Sequence, residues 1–242
     1  MGRPPGPGRL EGDASGGQVE EGAGAGSGRT GGMVMSASLR APAVRSLELP
    51  GWRIRLATLV EGDYEAWLAV RTRCRSWLIP WEPRSKGAPP APEDAASFVA
   101  RCGMRERERQ LGSGFGFGIF VDGRFAGEIT LSSIQRGPFQ NGAIGYWIDE
   151  ELAGSGLIPE AVVVVLQFAF ETLRLHRIEV AIIPRNMSSR RVVEKLGLRI
   201  EGVALGFLEI NGEWEDHVRY AMTADEWAVR APELRTTWLK RS

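Results

Sequence analysis

Alternation of apolar and polar residues marks the first short strand at Trp52-Arg-Ile-Arg-Leu56. After the Glu61-Gly-Asp63 turn the period changes: Trp67, Leu68, Val70 and Arg71 recur at helical spacing and predict a helix over Tyr64–Arg75. Trp77–Pro83 packs two prolines and two tryptophans into seven residues and reads as a loop, which the proline-rich Gly87–Pro92 continues. Glu93–Gln110 predicts a second helix, and its run from Arg105 to Arg109 reads as a solvated charged face. Phe115–Val121 and Arg124–Ile134 flank Asp122-Gly123, a hairpin signal because the tight turn needs positive φ. Next, Ile144, Tyr146 and Ile148 alternate with Gly145, Trp147 and Asp149 in a strand that breaks at Gly154-Ser155-Gly156.

The chain restarts as a helix, Pro159–Leu173, apolar on most faces, with Glu160, Gln167, Glu171 and Arg174 sharing the remaining side. The β-branched run His176–Ile183 completes a parallel crossover. A helix over Ser188–Leu196 stops at Gly197, and Phe207–Ile210 and Glu213–Met222 surround a second hairpin signal, Asn211-Gly212. This order predicts one α/β domain with a mixed, mostly antiparallel sheet flanked by helices.

Composition sets the borders. Residues 1–50 are dominated by Gly, Pro, Ala, Ser and charge, and are expected to form a disordered N-terminal extension rather than a secretory signal. The folded domain is expected over 51–224, with a tail, 225–242, able to add a helix. Thirty basic side chains balance thirty acidic ones, which argues against direct nucleic-acid binding. No apolar run reaches the ~18–20 residues of a membrane span. Cys74 and Cys102 are too few and too far apart for a disulfide framework or a zinc site, so no metal and a cytoplasmic location are expected. GSGFGFG, Gly112–Gly118, precedes a strand rather than a helix and reads as a flexible entry loop.

A strand, a glycine turn and a helix N-terminus together make an anion site, because the first-turn amides point outward unpaired. Two familiar versions fail here. No lysine follows Gly156 as a P-loop needs, and Pro159 stands where a dinucleotide fingerprint has its third glycine. A ligand with a pyrophosphate and an extended amide arm fits better, its arm pairing with the edge of the Tyr146–Ile148 strand as an added strand. Coenzyme A has that shape.

Seven pieces in order carry a family resemblance: Ile79-Pro-Trp-Glu-Pro83, Gly145-Tyr-Trp-Ile-Asp149, Gly154-Ser-Gly156, Pro159-Glu160-Ala161, Leu175-His-Arg-Ile-Glu179, Asn186 through Gly197, and Asn211-Gly-Glu-Trp-Glu-Asp-His217. From about Trp52 to Met222 the chain resembles the GNAT superfamily of acyl-CoA-dependent N-acetyltransferases, and within it the RimJ/RimL-like branch that acetylates ribosomal-protein N-termini. The resemblance implies acetyl-CoA as co-substrate, with Tyr146, Trp147, Ile148, Gly154, Ser155, Gly156, Leu157 and Asn186 around it. It implies Glu128 or Glu209 as the base, Ser189 as the acid for the departing thiolate, and Trp81 and Glu82 beside the acceptor. His217 and His176 read as surface or core filler. Two positions depart from the family: Glu151, an acid near the phosphate loop expected to face solvent, and Val193, where many members carry an acidic tyrosine. The implied acceptor is a protein N-terminus, with a small-molecule amine as the alternative. A non-catalytic acyl-CoA-binding module is the third reading, and a monomer or homodimer is expected.

Overall fold

In a computed structural model, residues 45–89 and 91–240 are described. Most of the leader expected over 1–50 lies outside them. Its last residues do not: Glu48–Pro50 forms an edge strand, β1, paired antiparallel with β2 (Ile54–Ala57). A proline is tolerated there because an edge strand has one side free of ladder bonds.

Eight strands form one sheet in the order β1-β2-β3-β4-β5-β6-β8-β7. β3 (Phe115–Val121), β4 (Arg124–Gln135) and β5 (Asn141–Ile148) run as an antiparallel meander. Among the described strands only β5 and β6 (Arg177–Ile182) are parallel. β7 (Arg199–Ile210) and β8 (Glu213–Thr223) close the far edge. Both predicted hairpins form, with positive φ at Asp122, Gly123, Asn211 and Gly212 as their tight turns require. The GSGFGFG stretch is not a flexible entry loop: Gly112 ends a helix, and Phe115 and Phe117 sit in β3 and in the core.

Helices cover both faces. On one lie α1 (Tyr64–Arg73), α2 (Arg75–Leu78) and α3 (Ala95–Leu111), burying Trp67, Val70, Leu78 and Phe98 against Phe120 and Phe125. The expected loop Trp77–Pro83 is partly helical, since α2 runs into a single tight turn, Ile79–Trp81. Asp94 caps α3 by accepting from the Ser97 N–H at 2.9 Å. The other face carries α4 (Leu157–Gln167), α5 (Met187–Lys195) and α6 (Ala224–Trp238), so the 225–242 tail is largely helical. α4 is buried from Leu157 to Leu166, including Glu160, which the sequence pattern put on the polar side. Each aliphatic side chain so buried contributes about 1.5–3 kcal/mol.

Strand pairing sorts the side chains onto faces. Glu128 lies opposite Trp147, Thr130 opposite Gly145, and Ser132 opposite Ala143; Ala143 pairs with Glu179, Glu179 with Ala221, and Ala181 with Arg219. Side chains at directly paired positions point to the same face. Glu128, Trp147, Glu179, Arg219 and, two residues along β8, His217 therefore share the face covered by α1–α3. Tyr146, Val180 and Tyr220 share the opposite one.

Candidate functional site

β5 pairs with β6 only through Asn141, Gly142 and Ala143, although β5 stays paired with β4 as far as Ile148. Beyond Ala143 the parallel strands diverge. Among the described residues, the edge of β5 from Ile144 to Ile148 has no strand partner on its β6 side. The divergence opens a cleft of about 1190 Å³. Sites for single drug-sized ligands run roughly 300–1,000 Å³, so this cleft has room for two substrates together.

One end of the cleft is the glycine turn. Gly154 and Gly156 adopt φ of 78° and 85°, and Gly156 is the residue before α4. In the first turn of α4, Leu157 and Ile158 present amides with no intrahelical acceptor, while Pro159 has none to present. Glu160 and Arg53 brace this turn from behind. The fully buried Glu160 carboxylate accepts from the Trp52 and Arg53 N–H groups at 2.7 Å each, from Ile54 N–H at 3.3 Å, and from Arg53 Nε at 2.9 Å. The same guanidinium donates to the carbonyls of Ser155 (2.9 Å) and Gly156 (3.0 Å). Arg53 thus holds two carbonyls on the outer side of the turn. Ser155 turns its hydroxyl back to Leu152 O at 2.5 Å, and, unlike Gly154, Gly156 and Leu157, it does not line the cleft. Glu151 is exposed. Asp149, at the root of the loop, binds Arg73 and the Cys74 thiol (3.3 Å); burial pushes its carboxyl up, but these partners together hold it below the usual carboxylate range.

Along the cleft, Tyr146, Ser189 and Asn186 come together. Ser189 Oγ lies 2.9 Å from the Tyr146 hydroxyl and donates to it, while the Tyr146 hydroxyl donates to Ser189 O at 3.2 Å. Asn186 Oδ1 accepts the Ser189 N–H at 3.1 Å and caps α5. Burial raises the Tyr146 phenol well above its ordinary range, so it stays protonated. Val193 is fully buried and offers no proton.

On the α1–α3 face the cleft is lined by Glu128, Trp147, Trp81 and Glu82. Glu128 is buried; its carboxylate accepts from Trp67 Nε1 at 2.7 Å and from Arg101 Nη1 at 2.9 and 3.0 Å. Arg71 binds Glu82 and lies 5.6 Å from the Trp147 ring centre. Residues 82–86 run as a strap onto the end of β7: Pro83 bridges Ile210, Arg84 N–H donates to Glu209 O at 3.0 Å, and Asn211 N–H to Glu82 O at 2.9 Å. The strap carries Trp81 at its start, with the Arg185 guanidinium 4.8 Å over its ring.

Glu209 has a different place from Glu128. Its Oε1 accepts the Lys86 N–H at 2.6 Å, a bond that lowers its carboxyl, and it holds the strap rather than lining the cleft. Sequence reasoning missed Arg53, Arg185 and His217 as parts of the site, and placed Glu160 on the polar side of its helix. Among the described residues no cluster of three or more His, Cys, Asp or Glu side chains could hold a metal. No helix of the described residues is long and apolar enough to cross a membrane.

The profile of the acetyltransferase (GNAT) domain family matches residues 53–199. A probable N-acetyltransferase of Bacillus subtilis (strain 168), YjcK, is 48% identical over 103 residues, 42% of this chain and 57% of that protein. The ribosomal protein uS5-alanine N-acetyltransferase of Escherichia coli (strain K12) is 32% identical over 177 residues, 72% of this chain and 90% of that enzyme. Among solved structures, Mycobacterium smegmatis RimJ in complex with CoA-disulfide superposes with a TM-score of 0.74 at 30% identity, covering 78% of this chain and 93% of that one. With the diverging parallel strands and the braced glycine turn, these matches make the chain a member of the GNAT family: an acyl-CoA-dependent N-acetyltransferase related to the ribosomal-protein N-acetyltransferases.

Proposed function

We propose that the chain transfers the acetyl group of acetyl-CoA to the α-amine at the N-terminus of a protein, a ribosomal protein being the leading acceptor, in the cytoplasm. One observation carries this reading. A single cleft joins an amide-lined turn suited to a pyrophosphate, an unpaired strand edge suited to an amide arm, and an acid- and aromatic-lined recess suited to a cationic amine. The cleft's own residues fit coenzyme A without added assumptions. Gly154, Gly156, Leu157 and Ile158 offer main-chain N–H groups, and Tyr146, Trp147 and Ile148 offer the free edge of β5. Arg191 and Lys195 of α5, which also line the cleft, add positive charge for phosphates.

At the other end the ammonium meets the Glu128 and Glu82 carboxylates, each already paired with an arginine, as hydrogen-bond acceptors, and Trp81 and Trp147 supply aromatic faces for it. An α-amine, with an ordinary pKa near ~8, sheds its proton far more readily than a lysine near ~10.4. Attack on the thioester carbonyl then creates an oxyanion, for which main-chain N–H groups on the free β5 edge are the available donors. Ser189, on turning its hydroxyl from Tyr146 toward the sulfur, supplies the proton for the departing thiolate.

The test mixes purified protein with acetyl-CoA and follows free thiol across peptides with alanine or serine at their N-termini, the same peptides with blocked N-termini, and small polyamines. The reading expects turnover confined to open N-termini. Turnover with polyamines alone would replace it with the small-amine reading, and tight CoA binding without thiol release with a binding module.

A further inference from the structure

We infer that His217, on β8, takes the proton from the acceptor amine. This rests on the reading of the cleft as the place where an amine meets the thioester.

His217 is buried, at 3% exposure, yet it lines the cleft. Its Nδ1 lies 3.0 Å from the carbonyl oxygen of Glu215. A carbonyl can only accept, so in the neutral ring Nδ1 carries the hydrogen and Nε2 keeps a lone pair. The ring packs edge-on against Phe207, with centroids 5.4 Å apart and planes at 61°, which fixes its orientation. That is the arrangement of a positioned base: one nitrogen tethered, the other bare.

Its place in the sheet fits the role. The strand register sets His217 on the same face as Glu128, across the β5–β6 divergence from it. One wall of the cleft therefore carries the Glu128 carboxylate and the other the His217 imidazole. Both Glu128 oxygens already accept hydrogen bonds, Oε1 from Trp67 and Arg101 and Oε2 from Arg101. Glu128 is left to orient the ammonium as a hydrogen-bond acceptor, and His217, with one bare nitrogen, to accept its proton. The charged groups around the ring are paired with each other. Arg185, after β6, binds Glu215 of β8, and Arg219 of β8 binds Glu179 of β6. Glu82 on the strap is bound by Arg71, and β7 presents the uncharged Phe207 and Ala204. The imidazole thus meets no unpaired charge of either sign among these neighbours.

The step balances as follows. An N–H bond of the ammonium breaks and its proton passes to Nε2, giving an imidazolium. The freed lone pair forms the C–N bond to the thioester carbonyl carbon, whose π pair moves to oxygen. When that pair returns, the C–S bond breaks and its electrons leave on the thiolate. The thiolate takes the Ser189 hydroxyl proton, the second proton lost by nitrogen restores Ser189 by way of water, and the imidazolium releases its proton to water.

The experiment compares wild type, His217→Gln and His217→Ala for kcat/KM toward an alanine-initiated peptide across pH, with acetyl-CoA affinity measured separately by calorimetry. His217→Gln should lower kcat/KM by about 10²-fold and leave a profile whose acidic limb follows the substrate α-amine alone, near ~8. Acetyl-CoA affinity should stay within about two-fold, and added imidazole should restore part of the His217→Ala rate. Two results would overturn the inference. One is a His217→Gln rate within a few-fold of wild type with an unchanged pH profile. The other is a rate loss in both variants that follows lost acetyl-CoA affinity and that imidazole leaves unchanged. If the wild type acetylates no amine at all, the reading of the cleft fails first, independently of His217.

Discussion

Replacing Glu160 with alanine should loosen the phosphate turn and the fold together. The carboxylate is fully buried and takes four donors, three of them main-chain N–H groups of Trp52, Arg53 and Ile54. Removing one partner of a buried ion pair costs about 3–5 kcal/mol. The Arg53 side chain is 33% exposed and regains some water, so the lower end, about 3 kcal/mol, applies to Glu160→Ala. Glu160→Gln keeps an oxygen for the amides but loses the charge facing Arg53, and should cost about 1–2 kcal/mol. For a domain of this size each kcal/mol moves Tm by roughly 2–4 °C, so Glu160→Ala should melt roughly 6–12 °C lower. Arg53, no longer fixed, also lets go of the Ser155 and Gly156 carbonyls. KM for acetyl-CoA should rise about ten-fold, equivalent to about 1.4 kcal/mol. Thermal unfolding with steady-state kinetics measures both. A Glu160→Ala protein melting within about 2 °C of wild type with unchanged KM would refute the bracing argument.

Three further outcomes follow from the same geometry. Asp149 has a depressed carboxyl, so its stabilisation is complete above the ordinary Asp value near ~3.9 and fades as pH falls through its lower folded value. Asp149→Asn should therefore destabilise at neutral pH and flatten the acid side of a stability–pH curve measured by urea unfolding. Gly156→Ala places a Cβ at φ 85° and 3.3 Å from both Arg53 and Trp238, and should lose about 1–2 kcal/mol of stability and weaken acetyl-CoA binding in calorimetry. Ser189→Ala should lower kcat roughly ten- to hundred-fold while leaving acetyl-CoA affinity nearly intact, since the Tyr146 hydroxyl still donates to the residue 189 carbonyl; loss of affinity alone would reduce Ser189 to a helix-end residue.

Local patterns made most of the fold legible. The two hairpins were readable because Asp-Gly and Asn-Gly are among the few pairs that accept positive φ in succession. The glycine turn was readable because a strand, two glycines and an apolar helix follow within one short stretch. β1 was hidden because Glu48–Pro50 ends a long Gly- and Pro-rich run and gains its order only by pairing with β2. Glu160 looked like part of the polar side of its helix because the donors that bury it are 106 to 108 residues away. The separate roles of Glu128 and Glu209 depended on three-dimensional pairing: residues 82–86 dock on β7 and occupy Glu209, while the divergence of β5 and β6 leaves Glu128 on the cleft. His217 was passed over because its alternation in β8 fixes a face but not what that face looks onto.

On the proposed reading the cleft acetylates an N-terminal α-amine. A peptide with a free N-terminal alanine and an internal lysine, incubated with acetyl-CoA and enzyme, tests it in one tube. Fragmentation mass spectrometry then locates the acetyl group. The account predicts one acetyl group, on the alanine nitrogen; acetyl on the lysine side chain, or an unmodified peptide under conditions where a small polyamine is acetylated, would contradict it.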